Sequence, residues 1–143
     1  MSQTAEYALR AMAQLALLPE GVGARAKDLA DAADIPAHYI SKLLRKLVVA
    51  GLLQSRKGHG GGFRLSYPPE DISFLNVLEA VGQGVEPDRC SFGWGMCDPN
   101  NPCPLHPAWT QLNEAMMEWA TETTLADIRA YVYNDARWQT LLE

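Results

Sequence analysis

The chain has 143 residues, 48% of them hydrophobic, and a formal net charge of -5. That length supports one core with a small appendage. No apolar run approaches the ~20 residues needed to span a bilayer, and the first residues lack the basic-then-apolar order of a signal peptide, so a cytoplasmic protein without a membrane partner is expected. The three cysteines are an odd number, which fits metal binding or thiol chemistry in a reducing compartment better than a disulfide framework. Charge is unevenly spread. Residues 1–67 hold nine Lys or Arg against five Asp or Glu, a net of +4, whereas residues 68–143 hold three against twelve, a net of -9. The basic first half suits phosphate binding, and the acidic second half limits non-specific adhesion to DNA.

Ser2 and Thr4 are candidate caps for a first helix whose apolar positions Tyr7, Ala8, Met12, Leu15 and Ala16 recur at helical spacing up to Leu18-Pro19. A short second helix over Lys27–Ala33 stops at Asp34, a residue that tolerates the left-handed conformation. Ile35 plugs the turn and Pro36 opens a third helix with Tyr39, Ile40, Leu43, Leu44 and Leu47 as its apolar stripe, ended by Gly51. Two short helices joined by a tight turn, with His38, Ser41, Lys42 and Arg45 off the stripe of the second, form the helix-turn-helix pattern. Periodicity alone scarcely separates this from any small helical hairpin.

The next segment adds to it. Leu52–Lys57 and Phe63–Tyr67 read as two strands around Gly58-His59-Gly60-Gly61-Gly62, a hairpin that places Arg56, Lys57 and Arg64 around a nearly bare backbone. Phe63 stands where a dinucleotide fingerprint needs a third glycine, and there is no Walker lysine, so a wing that approaches a sugar-phosphate wall is the reading. The DNA-facing set is His38, Tyr39, Ser41, Lys42, Arg45, Arg56, Lys57, His59 and Gly60. A further helix is expected over Asp71–Val81.

From Gly84 to Pro107 the chain is rich in Gly, Pro, Asn and Asp, as in an irregular loop, and holds all three cysteines. Structureless loops longer than about 12 to 15 residues are usually functional or disordered. The pattern is Cys90-x6-Cys97-x5-Cys103-x2-His106, with Trp94 as apolar cover. Structural zinc sites more often pair cysteines two to four residues apart, so these wider spacings favour an iron-sulfur cluster over zinc, with reactive thiols as a third reading. No paired-carboxylate or Ser-His-Asp arrangement supports an enzyme or a dedicated electron carrier.

Beyond the loop, Trp109, Leu112, Met116, Trp119 and Thr123 fall three or four residues apart on a helix that Pro107 can open, a seam that fits either a partner subunit or the helix's own domain. Thr124 can cap a last helix carrying Leu125, Ile128, Tyr131 and Val132, and Trp138, Leu141 and Leu142 could pin the tail. The fold expected is mainly α with a small β-hairpin wing: a winged helix-turn-helix over residues 1–83, a cysteine-rich loop over 84–106, and a long dimerisation helix plus a final helix over 107–143.

Tyr7–Met12, Tyr39–Leu47, Ala50-Gly51-Leu52, Gly60–Phe63 and the cysteine loop together resemble the IscR and NsrR family of winged-helix regulators over nearly the whole chain. The resemblance implies a homodimer on a partly palindromic operator, with the third helix in the major groove, the wing at the minor groove, and the helix after the cysteine loop pairing two subunits. It also implies a cluster, 2Fe-2S ahead of 4Fe-4S, held by Cys90, Cys97 and Cys103 and completed by His106, with Glu6 of the partner subunit as the alternative fourth ligand. A repressor of redox, nitric oxide or iron-sulfur status is the expected function; a zinc-binding or cluster-free thiol regulator is the alternative. Ser41 stands where IscR carries an acidic base-reading residue, which changes the operator expected.

Overall fold

The computed structural model describes residues 2–58, 61–84, 98 and 100–135. Helix α1, Gln3–Leu17, starts at Ser2, whose hydroxyl accepts from the Ala5 N–H at 3.2 Å. Thr4, expected to share that capping, instead forms a hydrogen bond with the Tyr39 hydroxyl. Helix α2, Ala26–Ala33, ends at Asp34 with φ 54°, the one non-glycine positive φ among the described residues. The N–H of Ile35 turns back to the Ala30 carbonyl at 2.9 Å, which closes the tight turn into α3, Ala37–Val49.

Ile40, Leu43, Leu44 and Leu47 share one face of α3 and are buried against Met12 and Leu15 of α1, Leu29 of α2, and Ile72 and Val77. Truncating any one of these leucines to Ala costs about 2–5 kcal/mol, because the surrounding core collapses only partly onto the void.

Strands β1, Leu53–Arg56, and β2, Gly62–Leu65, pair antiparallel in the register Leu53 to Leu65 and Arg56 to Gly62. Both are shorter than the runs expected from sequence. The hairpin gains a third partner at Ala24, which exchanges backbone hydrogen bonds with Phe63 at 2.9 and 2.7 Å. The helix expected from Asp71 begins later. Pro69–Asp71 form a 3-10 turn, and Ser73 and Asn76 then make a reciprocal capping box for α4, Phe74–Ala80.

Helix α5, His106–Glu122, begins one residue before Pro107, which occupies its first turn. Thr124 and Asp127 form the capping box of α6, Leu125–Asn134, as the sequence suggests for Thr124. The α5–α6 junction is stitched to α4. Phe74 N–H donates to the Thr123 carbonyl at 2.8 Å, and Leu125 N–H to the Ile72 carbonyl at 3.0 Å. Ala120 of α5 packs with Leu78 and Ala5, and Trp119 meets the edge of Phe74 at 5.3 Å. The last turns of α5 therefore rest on α1 and α4. Leu112, Met116 and Trp119 remain exposed by 51, 37 and 39%, and Trp109 is half-buried. Among the described residues no helix is long and apolar enough to cross a membrane.

Candidate nucleic-acid interface and the end of the cysteine loop

Burial of one stripe of α3 leaves the opposite face to solvent. His38, Ser41, Lys42, Arg45 and Lys46 are all exposed on it. Tyr39 differs from its neighbours: the ring is half-buried, edge-on to Tyr7 at 5.4 Å, with its hydroxyl on Thr4. Tyr7 in turn carries the Arg10 guanidinium over its ring at 5.6 Å and accepts from Gln3 at 2.9 Å. Tyr39 thus fixes α3 to α1, the role its place in the apolar stripe suggests, beside the DNA-facing role read for it.

At the wing, Arg56 and Lys57 are exposed, while His59 and Gly60 lie outside the described residues. Arg64, expected near the bare tip, is cross-strand from Gln54 and donates to its Oε1 at 3.1 and 3.3 Å. That pair lines a cavity of about 420 Å³ at the hairpin base rather than the tip. An arginine that composition and periodicity did not single out takes the place nearer the tip. Arg25, just before α2, joins Arg56, Gly58 and Gly62 around an open cleft of about 490 Å³. The signal for it is non-local, because it arises from the Ala24–Phe63 pairing.

Close packing explains the glycines at the hairpin. A Cβ on Gly61 would stand 2.5 Å from the Arg56 carbonyl oxygen, and one on Gly62, at φ 115°, 2.5 Å from that of Ala24. Gly61 N–H also closes the turn onto the Gly58 carbonyl at 2.9 Å.

Of the four loop ligands expected, Cys90 and Cys97 lie outside the described residues, as does Trp94. Cys103 is half-buried, and its carbonyl accepts the His106 N–H at 3.0 Å, so the thiol-bearing residue and the imidazole are joined by one backbone turn. His106 Nε2 lies 3.4 Å from Thr110 Oγ1. Its Nδ1 is buried and has no hydrogen-bond partner among the described residues. Such an atom costs about 1–3 kcal/mol unless something binds it. Glu6 is exposed on α1. The tail residues Trp138, Leu141 and Leu142 are also outside the described set.

A helix-turn-helix, a paired wing and an exposed cationic face define a DNA-binding transcriptional regulator of the winged-helix type. The chain belongs to the Rrf2 family, described as iron-dependent transcriptional regulators, which its residues 1–131 match. An HTH-type transcriptional regulator of Mycobacterium tuberculosis is 36% identical over 129 residues, covering 90% of this chain and 80% of the relative. IscR of Vibrio cholerae is 30% identical over 128 residues, covering 90% and 73%. Among solved structures, CymR, the global cysteine regulator of B. subtilis, superposes with a TM-score of 0.77 at 23% identity, covering 92% of this chain and 96% of that one. IscR of T. potens gives 0.72 at 23% identity, covering 90% and 84%. Both share the fold. The family resemblance read from sequence is therefore borne out, and the relatives are named as regulators rather than enzymes.

Proposed function

We propose that the chain is a homodimeric repressor whose operator affinity is set by an iron-sulfur cluster, 2Fe-2S in type, held by Cys90, Cys97, Cys103 and His106. The observation that carries the reading is the buried Nδ1 of His106, which has no hydrogen-bond partner among the described residues and lies one backbone turn from Cys103. Thiolates are the usual holders of such clusters and an imidazole can replace one, so the donor set fits the group. With Nε2–H donating to Thr110, the lone pair would rest on Nδ1, where a metal would serve as its partner. When bound, the cluster supplies a centre whose charge and ligation respond to oxidants and small reactive gases. The iron dependence in the family's description supports the same chemistry.

For DNA, α3 would enter the major groove with Ser41, Lys42 and Arg45 leading, while Arg56, Lys57, His59 and Gly60 of the wing approach the minor groove. A second copy of the chain would cover the exposed Leu112, Met116 and Trp119 and space two recognition helices for a partly palindromic site. The cluster must then bind one arrangement of the two helices more tightly than another, since only a differential affinity shifts the equilibrium.

The test is preparation under anaerobic conditions followed by visible spectroscopy, iron and sulfide assay, and operator binding. Visible absorption with bound sulfide, lost together with a change in operator affinity on oxidation, is expected. A colourless protein containing zinc, or one whose DNA affinity follows thiol oxidation without any cluster, would replace this reading with the zinc or thiol alternative.

A further inference from the structure

Contacts by α3 and the wing tip leave Arg25 without a role. The backbone that carries it is nevertheless tied to the wing. Ala24 is locked to Phe63 through both backbone hydrogen bonds, and the backbone nitrogen of Arg25 lies 3.0 Å from where a Gly62 Cβ would stand. Gly62 is in register with Arg56 across the hairpin. The two arginines therefore flank one open cleft floored by Ala26, Gly58, Gly62 and Phe63, and no carboxylate is among these lining residues. Both arginines are exposed, so no burial cost opposes their charge.

Resting on the DNA-binding reading, we propose that this cleft seats one backbone phosphate of the duplex in each subunit, held jointly by Arg25 and Arg56. A protein touching adjacent major and minor grooves must pass over the sugar-phosphate strand between them, and the cleft lies between α2, the first helix of the helix-turn-helix, and the wing. Guanidinium forks match phosphate oxygens in pairs, and glycine backbone lets the strand come close. A phosphate contact fixes register and orientation without reading bases.

The test compares the parent with Arg25→Gln on operator and on scrambled duplex over a range of salt, with thermal melts to confirm an intact fold. A wholly lost phosphate contact lowers the log-log salt slope by about 0.9, or about 1.8 for a dimer; because Arg56 stays on the phosphate, Arg25→Gln should lower it by less than that, and both duplexes should weaken by the same factor. Ethylation interference adds position: one phosphate per half-site should matter to the parent and matter measurably less in Arg25→Gln.

An unchanged slope with an identical interference pattern overturns the proposal while leaving the DNA-binding reading in place; a parent that binds no duplex overturns both. Inorganic phosphate at matched ionic strength should displace DNA no better than chloride. Stoichiometric, Arg25-dependent binding of inorganic phosphate without interference at any DNA phosphate would assign the cleft to a free anion and overturn the proposal.

Discussion

Ala24 and Phe63 donate to and accept from each other, at 2.9 and 2.7 Å, and so tie the entry to the helix-turn-helix to the second strand of the wing. Gly62 sits beside this link with φ 115°, where a Cβ would meet the Ala24 carbonyl oxygen at 2.5 Å. Gly58 has φ 92° with nothing within 4 Å of its would-be Cβ. Gly58→Ala therefore meets backbone strain alone, whereas Gly62→Ala meets strain and a backbone clash. Each should destabilise, Gly62→Ala by more than about 1 kcal/mol and by more than its neighbour. Urea unfolding decides the order, and equal midpoints for the two variants would remove the clash from consideration. Operator affinity should fall further in Gly62→Ala, because the wing loses its anchor.

Tyr39 gives a second comparison. Tyr39→Phe keeps the edge contact with Tyr7 and removes only the hydroxyl that bonds Thr4, an expected loss of about 0.5–1.5 kcal/mol. Tyr39→Ala also removes the ring and should cost about 3–5 kcal/mol if the site behaves as core, or less in proportion to its partial exposure. If α1 positions α3, operator affinity should fall in both variants with no change in salt slope. A Tyr39→Phe protein that loses stability but binds operator as tightly as the parent would mean instead that the Thr4 contact does not set the position of α3.

Local chemistry made much of this fold legible. Asp34 in the left-handed conformation, the capping by Ser2 and Thr124, and the stripe of Ile40, Leu43, Leu44 and Leu47 all follow from residues within a turn or two of one another. What escaped depends on distant partners. Thr4 could cap or reach Tyr39, and only packing of α1 on α3 selects the second. The register pairs Arg64 with Gln54 and so draws it from the tip, and Arg25 is brought to the wing by the single-residue bridge of its neighbour Ala24, which has no periodicity to read. Helix α4 starts later than Asp71 because Asp71 and Ser73 are both competent caps, and Pro69 favours the 3-10 turn that consumes Asp71. Of the cluster ligands, the spacing names the residues, while the orphaned nitrogen of His106 is visible only in three dimensions.

The exposed stripe on α5 tests the dimer without disturbing the subunit core. Leu112 and Met116 lie away from the Ala5, Leu78 and Ala120 cluster, so Leu112→Lys with Met116→Lys should leave the melting of an isolated subunit close to that of the parent. Two lysines facing their copies across a two-fold axis should convert the dimer to monomer in sedimentation velocity and weaken operator binding by at least about tenfold, since each half-site then binds alone. Trp119→Lys is a poorer probe because its ring also meets Phe74. A double variant that sediments as a dimer would place the subunit interface elsewhere.

His106 offers a prediction whose sign differs between the two forms of the protein. Without a metal, its Nδ1 is buried and has no partner among the described residues, a penalty on the order of 1–3 kcal/mol. Replacing His106 with Ala removes that penalty together with some packing of a half-buried ring, so the cluster-free protein should lose little stability or gain some. With the cluster in place the same nitrogen would be a ligand, and His106→Ala should shift the visible spectrum or reduction potential and shorten the lifetime of the cluster in air. Thr110→Val should act in the same direction but more weakly, because it removes only the hydroxyl 3.4 Å from Nε2. Glu6→Gln supplies the contrast: Glu6 is exposed on α1, so its loss should leave both forms unchanged. If spectrum, potential and lifetime were instead indifferent to His106→Ala and altered by Glu6→Gln, the fourth ligand would come from α1. A change at the cluster would then pull directly on the helix that holds Tyr39, and through it on the face of α3 that meets DNA.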